Sequence, residues 1–149
     1  MSLIEILRKV ELFNGLGESE LRDVEKLCVE RRLKRGEIIT TQGKQEDELF
    51  IVTKGFIEII LGEVQTEPRK IVVNLGEGQL IGEMSLVDQG PRSATARAAV
   101  DDTTVQAISC RDFDVLCEQN AHIGFIVMRN IASDLSFKLR HRNLSEGGR

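Results

Sequence analysis

At 149 residues the chain is long enough to bury one hydrophobic core without disulfides or metals, and too short for two independent domains. Its net charge of −4, with both signs interspersed, lacks the basic field that holds a nucleic-acid backbone, so no direct DNA binding by this chain is expected. Cys28, Cys110 and Cys117 leave an odd thiol and show no metal-ligand spacing, which points to reduced, packed side chains and a cytoplasmic setting.

The first dozen residues, MSLIEILRKVEL, set Glu5, Arg8 and Lys9 inside an apolar pattern. Those charges spoil a membrane span or a signal-peptide core and leave a short amphipathic helix. GLGESELRDVEKL (15–27) predicts a second helix, with Glu18 and Ser19 ahead of Leu21, Val24 and Leu27 on one face. Then the pattern changes. Glycines punctuate the middle of the chain, and between them lie EIITT (37–41), ELFIVTKG (48–55), FIEIIL (56–61), RKIVVNL (69–75), SATARAAV (93–100) and TTVQAIS (103–109). Short β-branched runs at such spacing predict strands. No helical pattern of crossover length separates them, which favours an antiparallel sandwich or roll over a parallel sheet. The alanines of SATARAAV lean towards helix, but the position directly after Pro91 and the alternation of Thr95 and Arg97 with Ala94, Ala96 and Ala98 select strand.

After the strands, Ser109 can cap a helix over CRDFDVLCEQN, and Asn120 opens a long helix from Ala121 to about Asn143. On it Phe125, Met128, Ala132, Leu135 and Leu139 keep a 3-4-3-4 spacing, while Ile126, Val127 and Ile131 widen the apolar surface. One face for the domain leaves another for a partner, unless the whole stripe is core. The expected organisation is a single domain over 1–143, mainly β with flanking helices: a β-roll at about 28–109, terminal helices at 110–143 and a flexible polar tail at 144–149.

Chemistry concentrates in IGEMSLVDQGPRSA (81–94). Gly76, Gly78 and Gly82 resemble a dinucleotide-binding fingerprint, but Gly82, Gly90 and Pro91 interrupt the helix that such a motif requires. A second reading uses every polar residue. If Glu83 to Val87 forms one helical turn, the amides at its start face outward and can hold an anion. Arg92, brought back by the turn from Asp88 to Pro91, adds a planar guanidinium suited to two phosphate oxygens, and Ser93 and Ala94 can complete the cradle. A carboxylate beside a phosphate repels it, unless Glu83 accepts hydrogen bonds from a sugar hydroxyl while Arg92 balances the charge. The ligand so described, one compact anion with a neighbouring hydroxyl, fits a ribose cyclic phosphate.

These residues resemble the cyclic nucleotide-binding domain family, the sensor domains of catabolite activators and of cAMP-dependent kinase regulatory subunits. IGEMSL, the VDQGP turn and RSA match its phosphate-binding cassette. LFNGL (12–16), LKRGEIITTQG (33–43) and LFIVTKGFIEI (49–59) extend the resemblance over most of the chain. The resemblance implies a jelly-roll β-roll that binds cAMP or cGMP through Gly82, Glu83, Met84, Ser85, Arg92, Ser93 and Ala94. Glu83 would take the ribose 2′-hydroxyl, Arg92 the phosphate oxygens, and amides around Gly82, Glu83 and Ser93 would assist. It also implies a terminal helix that folds over the base and forms a homodimer seam. Here that helix offers Leu139 to pack on the purine and Lys138 or Arg142 to reach its edge, where the family places hydroxyl residues; exposed basic side chains are the alternative. Ser93 is compatible with cAMP, and the ligand preference leans that way.

The activators continue into a DNA-binding domain, whereas NLSEGGR ends this chain, so an effector domain or protein is an expected partner. His122 and His141 stand nineteen positions apart and outside the cassette, without a nucleophile and base pair or a metal cluster. A regulatory binding module without enzymatic activity, cofactor or membrane attachment is expected. The alternative is a β-roll that pairs through its last helix and binds no nucleotide.

Overall fold

The charges of the first segment form the outer side of α1 (Leu3–Lys9), whose Ile6 and Leu7 are buried and whose Ser2 hydroxyl caps the amide of Glu5. The structure, a computed structural model, describes residues 1–61 and 70–147; the side chains of 70–72 and 143–147 lie outside that description. A 3-10 turn at Glu11–Phe13 leads into α2 (Glu18–Glu25). The cap of α2 is not a hydroxyl. The Gly17 amide donates to the Glu20 carboxylate at 3.1 Å, so the third residue of the helix reaches back to satisfy its start.

Eight strands follow: β1 (Val29–Leu33), β2 (Ile38–Thr40), β3 (Glu48–Lys54), β4 (Ile57–Leu61), β5 (Lys70–Leu75), β6 (Leu80–Ile81), β7 (Thr95–Ala98) and β8 (Thr103–Ser109). They make two antiparallel four-stranded sheets, ordered β1-β8-β3-β6 and β2-β7-β4-β5. This is the expected β-roll, mainly β with helices at both ends of the chain. All six predicted strands are present, and residue 69 of the fourth lies outside the described range. SATARAAV contributes β7, whose Ala96 and Ala98 are buried between the sheets while Arg97 pairs with Glu58 across the ladder on the other face.

Two strands went unpredicted. β1, VERRL, buries only Leu33 and holds the edge of its sheet with exposed charges, Arg31 meeting Glu48 at 2.6 Å. An edge strand needs no apolar alternation, and charge there discourages pairing with other chains. β6 has two residues, below the length at which periodicity registers.

β3 carries the architecture. Phe50 and Val52 enter the core between the sheets with Ile57, Ile81, Ala96, Ala98 and Val105, while Leu49 and Ile51 enter a second core beneath the helices. A strand buried on both faces reads as an unbroken apolar run, as ELFIV does. The second core is closed by α1, α2, α3 (Cys110–Gln119) and α4 (Ala121–Gly147), with Phe13 against Phe113 and the α4 stripe Ile123, Val127 and Ile131 fully or nearly buried. Ser109 caps α3 as expected, and the Asn120 side chain accepts from the Ile123 amide at the start of α4.

On α4 the expected seam separates from the buried stripe: Phe125, Met128, Ala132 and Leu139 are exposed, and Leu135 alone of that set packs on the core. The helix also runs to Gly147, past the expected end near Asn143 and into the segment expected as tail, because Leu144 to Glu146 include no helix breaker and glycine arrives only at 147. Residues 148–149 of that tail lie outside the described range. Burial pushes the thiols up, Cys28 to about 12 and Cys110 and Cys117 to about 11, as packed rather than reactive cysteines require.

Glu20 joins α2 to α4 through His122, 2.8 Å away. Burial alone would raise its carboxyl. The Gly17 amide, the His122 ring by hydrogen bond and by charge, and the Asn120 side chain outweigh it and hold the group below its ordinary 4.5. A carboxyl held low in the fold adds stability above its ordinary value and loses it as pH falls through the lowered one. Glu20→Gln should therefore lower the melting temperature at neutral pH, by about 1 kcal/mol of stability, with the gap to the parent closing in acid; thermal unfolding across pH checks this.

Candidate functional site

β6 ends at a forced bend. Gly82 takes φ 87°, a left-handed conformation, and starts the 3-10 turn Glu83–Leu86, the single helical turn expected there. The Ser85 amide bonds the Gly82 carbonyl at 3.1 Å, and Leu86 plugs into the core beneath the helices. Anchored at both ends, the turn holds Glu83 and Ser85 half-buried and Met84 exposed. The first amides of such a turn have no partner within it.

The return segment is pinned as firmly. Gly90 donates to the Asp88 carboxylate at 3.1 Å, and Gln45 donates to the Gln89 carbonyl at 2.9 Å. Arg92 exchanges two backbone hydrogen bonds of 2.9 Å with Lys44 and Gly43. Its side chain then turns inward and is 6% exposed. Nη2 donates to the Glu48 carbonyl at the start of β3, Nε lies 3.9 Å from Oε2 of Glu46, and the guanidinium packs on Gly82. A Cβ built on Gly82 would stand 1.9 Å from Nη1, so glycine is required there twice, for its backbone angle and for this contact. Nε is buried without a hydrogen-bond partner among the described residues.

Glu83 and Arg92, nine positions apart, are thus brought to one turn, with Gly82 between the carboxylate's backbone and the guanidinium; no ion pair joins the two side chains among the described residues. Ser93 is exposed and Ala94 half-buried beside them. Glu83 and Met84 line a groove of about 390 Å³ whose far wall is α4, through Asp134, Leu135 and Lys138; Arg92, Ser93 and Ala94 are not part of its lining.

Of the three candidate lid residues, the groove gathers one. Lys138 faces Glu83 across it and bonds Asp134 at 2.8 Å. That hydrogen bond raises the amine above its ordinary value against the opposing effect of burial, helped by the charges of Asp134, Glu83 and Glu11. Leu139 is 58% exposed and looks away with Phe125 and Met128, and Arg142 is exposed beyond the groove. One end of the groove is fixed by Asn130, whose amide donates to the carbonyls of Leu12 at 2.8 Å and Asn14 at 2.9 Å and ties α4 to the first 3-10 turn.

Sequence reasoning missed Glu46, the Glu48 carbonyl, Asn130 and Asp134. The spacing of Asp134 four residues before Lys138 was a readable signal; the others act through tertiary neighbours that no spacing reveals. Among the described residues no cluster of metal-ligating side chains occurs, and no helix is long and apolar enough to cross a membrane.

Compared with known proteins, residues 30–120 match a family model described as cyclic nucleotide-binding domain. The chain is 34% identical over 134 residues to the cyclic AMP receptor protein of Thermus thermophilus, covering 89% of this chain and 59% of that protein. It is 32% identical over 124 residues to a cyclic nucleotide-gated potassium channel of Mesorhizobium japonicum, covering 82% of this chain and 32% of that one. The crystal structure of Thermus thermophilus catabolite activator protein superposes with a TM-score of 0.77 at 30% identity, covering 92% of this chain and 62% of that chain. The chain thus spans less than two thirds of each of these relatives.

Gly82→Ala and Gly36→Ala separate backbone strain from contact, since both glycines have φ 87° and only Gly36 has open space around it. Chemical denaturation should show Gly36→Ala costing about 1 kcal/mol and Gly82→Ala about 1–3 kcal/mol more, because the guanidinium must move as well.

Proposed function

This chain belongs to the cyclic nucleotide-binding domain family, a family of regulatory ligand-binding domains rather than catalytic ones, and from that premise we propose that it binds cAMP in preference to cGMP and transmits binding to α4. The observation that carries the reading is the convergence of Arg92 and Glu83 on one glycine-hinged turn beside a groove walled by α4. A phosphate taken by a guanidinium that is already buried and short of one hydrogen bond gains a charge-assisted contact at little ordering cost. The amides at the start of the turn and those of Ser93 and Ala94 add donors. Met84 and Ser85 flank the sugar.

The base then extends towards α4. Lys138 is the lid residue favoured by the groove; Leu139 and Arg142 would reach it only after α4 turns about its axis. Nucleotide that touches both the turn and α4 favours the helix position making both contacts, which is how occupancy becomes a signal. The cAMP preference draws support from the relative named a cyclic AMP receptor protein. No catalysis is assigned, in keeping with a family of regulatory ligand-binding domains. A cytoplasmic setting and an effector domain or protein as recipient of the signal complete the reading.

The exposed row Phe125, Met128 and Leu139, on a face of α4 that flanks its buried stripe, supports a homodimer through that helix. Two such rows at heptad spacing bury each other in a parallel or antiparallel pair. Light scattering should find a dimer in the parent and a monomer in a Phe125→Glu, Met128→Glu variant that keeps its melting temperature; a monomeric parent would remove the pairing.

A thermal-shift and calorimetry panel with cAMP, cGMP, linear AMP and NAD tests the ligand, since only a molecule selective for the fold raises the melting point. The cyclic nucleotides should, and NAD should not. Arg92→Ala is expected to weaken cAMP by about 2–5 kcal/mol. Glu83→Ala should narrow the preference for cAMP over its 2′-deoxy analogue, and equal discrimination by parent and variant would take Glu83 away from the ribose.

A further inference from the structure

The acidic run Glu46, Asp47, Glu48 enters β3 beside the cradle, and the fold sorts its three members. The Glu48 carboxylate leaves for Arg31 at 2.6 Å, so only its carbonyl serves Arg92. The Asp47 carbonyl accepts the Cys110 amide at 2.9 Å. Glu46 alone of the run presents its carboxylate to the Arg92 side chain, 3.9 Å from Nε and 26% exposed. A guanidinium buried this deeply needs a counter-charge, and Glu46 supplies one. It does so poorly, because at that distance Nε keeps no hydrogen bond.

Resting on the cyclic nucleotide reading above, we infer that Glu46 is an internal competitor for Arg92, an affinity-setting carboxylate that a bound phosphate displaces. Two anions around one guanidinium repel each other, and the phosphate, with two oxygens and a shorter approach, makes the stronger bond. Glu46 is half-way to solvent already, so it can swing out without unfolding the loop, while Arg92 stays held by its backbone pairing to Gly43 and Lys44. The nucleotide then gains only the difference between its own bond to Arg92 and the one Glu46 gives up. Glu46 thereby sets the concentration at which the domain fills, without touching the ligand.

Glu46→Gln keeps the shape and removes the charge. Calorimetry should show it binding cAMP about three- to tenfold more tightly than the parent, the span of a partly screened ion pair. Glu46→Asp, which retracts the carboxylate, should fall between. Uncharged adenosine should not distinguish the variants, and Glu30→Gln, which removes an exposed acid from β1, should match the parent. Without nucleotide Glu46→Gln should melt below the parent, with the gap closing at saturating cAMP. Equal or weaker cAMP binding by Glu46→Gln, or an equal gain in Glu30→Gln, would overturn the inference and leave the parent's binding site standing. A parent that binds neither cAMP nor cGMP would overturn the functional reading and this inference with it.

Discussion

The contact of the Arg92 guanidinium with the Gly82 backbone is the interaction on which the site depends. It joins the end of β6, the 3-10 turn and the return segment, which follow one another along the chain, to the start of β3, some forty residues earlier. A side chain at position 82 would break it sterically, and the left-handed backbone there is one that side-chain-bearing residues adopt only with strain. The positive charge is placed inside the protein before any ligand arrives, so the cost of ordering and desolvating it falls on folding rather than on binding.

That placement is possible because the surrounding frame is rigid. β3 is buried on both faces, and the carbonyl of its first residue, held in the β3–β8 ladder, offers Arg92 a fixed acceptor. Across the groove, α4 is nailed down by Ile123, Val127 and Ile131 in the core and by the Asn130 amide on the first 3-10 turn, yet from Ser136 to Arg142 its side chains are exposed. The helix is therefore firm at its start and sparsely held where Lys138 meets the groove. Regions that respond to ligands come from such lightly packed segments.

Local electrostatics follow the same division. Arg92 lies in the field of several acids, and the Cys110 thiol registers it: burial first, then Asp47, raises the thiol, while Arg92 pulls it down. Lys138 lies among Asp134, Glu83 and Glu11, with its ammonium stabilised by the first. Acidic and basic side chains thus stand side by side along the groove between the Gly82 turn and α4.

Much of this was legible in the chain itself. Short β-branched runs between glycines give strands wherever they fall, so the β-roll could be read directly, as could the return of Arg92 to the turn that carries Glu83. Even SATARAAV was readable, because small residues alternating after a proline suit a strand with one face packed against a second sheet. The tertiary structure alone decided the rest. β1 and β6 exist because neighbours accept their hydrogen bonds, and neither carries a pattern of its own. Which of two adjacent residues, Lys138 or Leu139, faces the groove was set by the rotation of α4 on its buried stripe, a matter of about 100° per residue that spacing leaves open once the helix is apolar on two sides. And Glu46 became the neighbour of Arg92 through a fold that brings together residues forty-six positions apart: charge in a sequence shows how much there is, whereas the distance between charges, which fixes their energy, is a property of the packed chain.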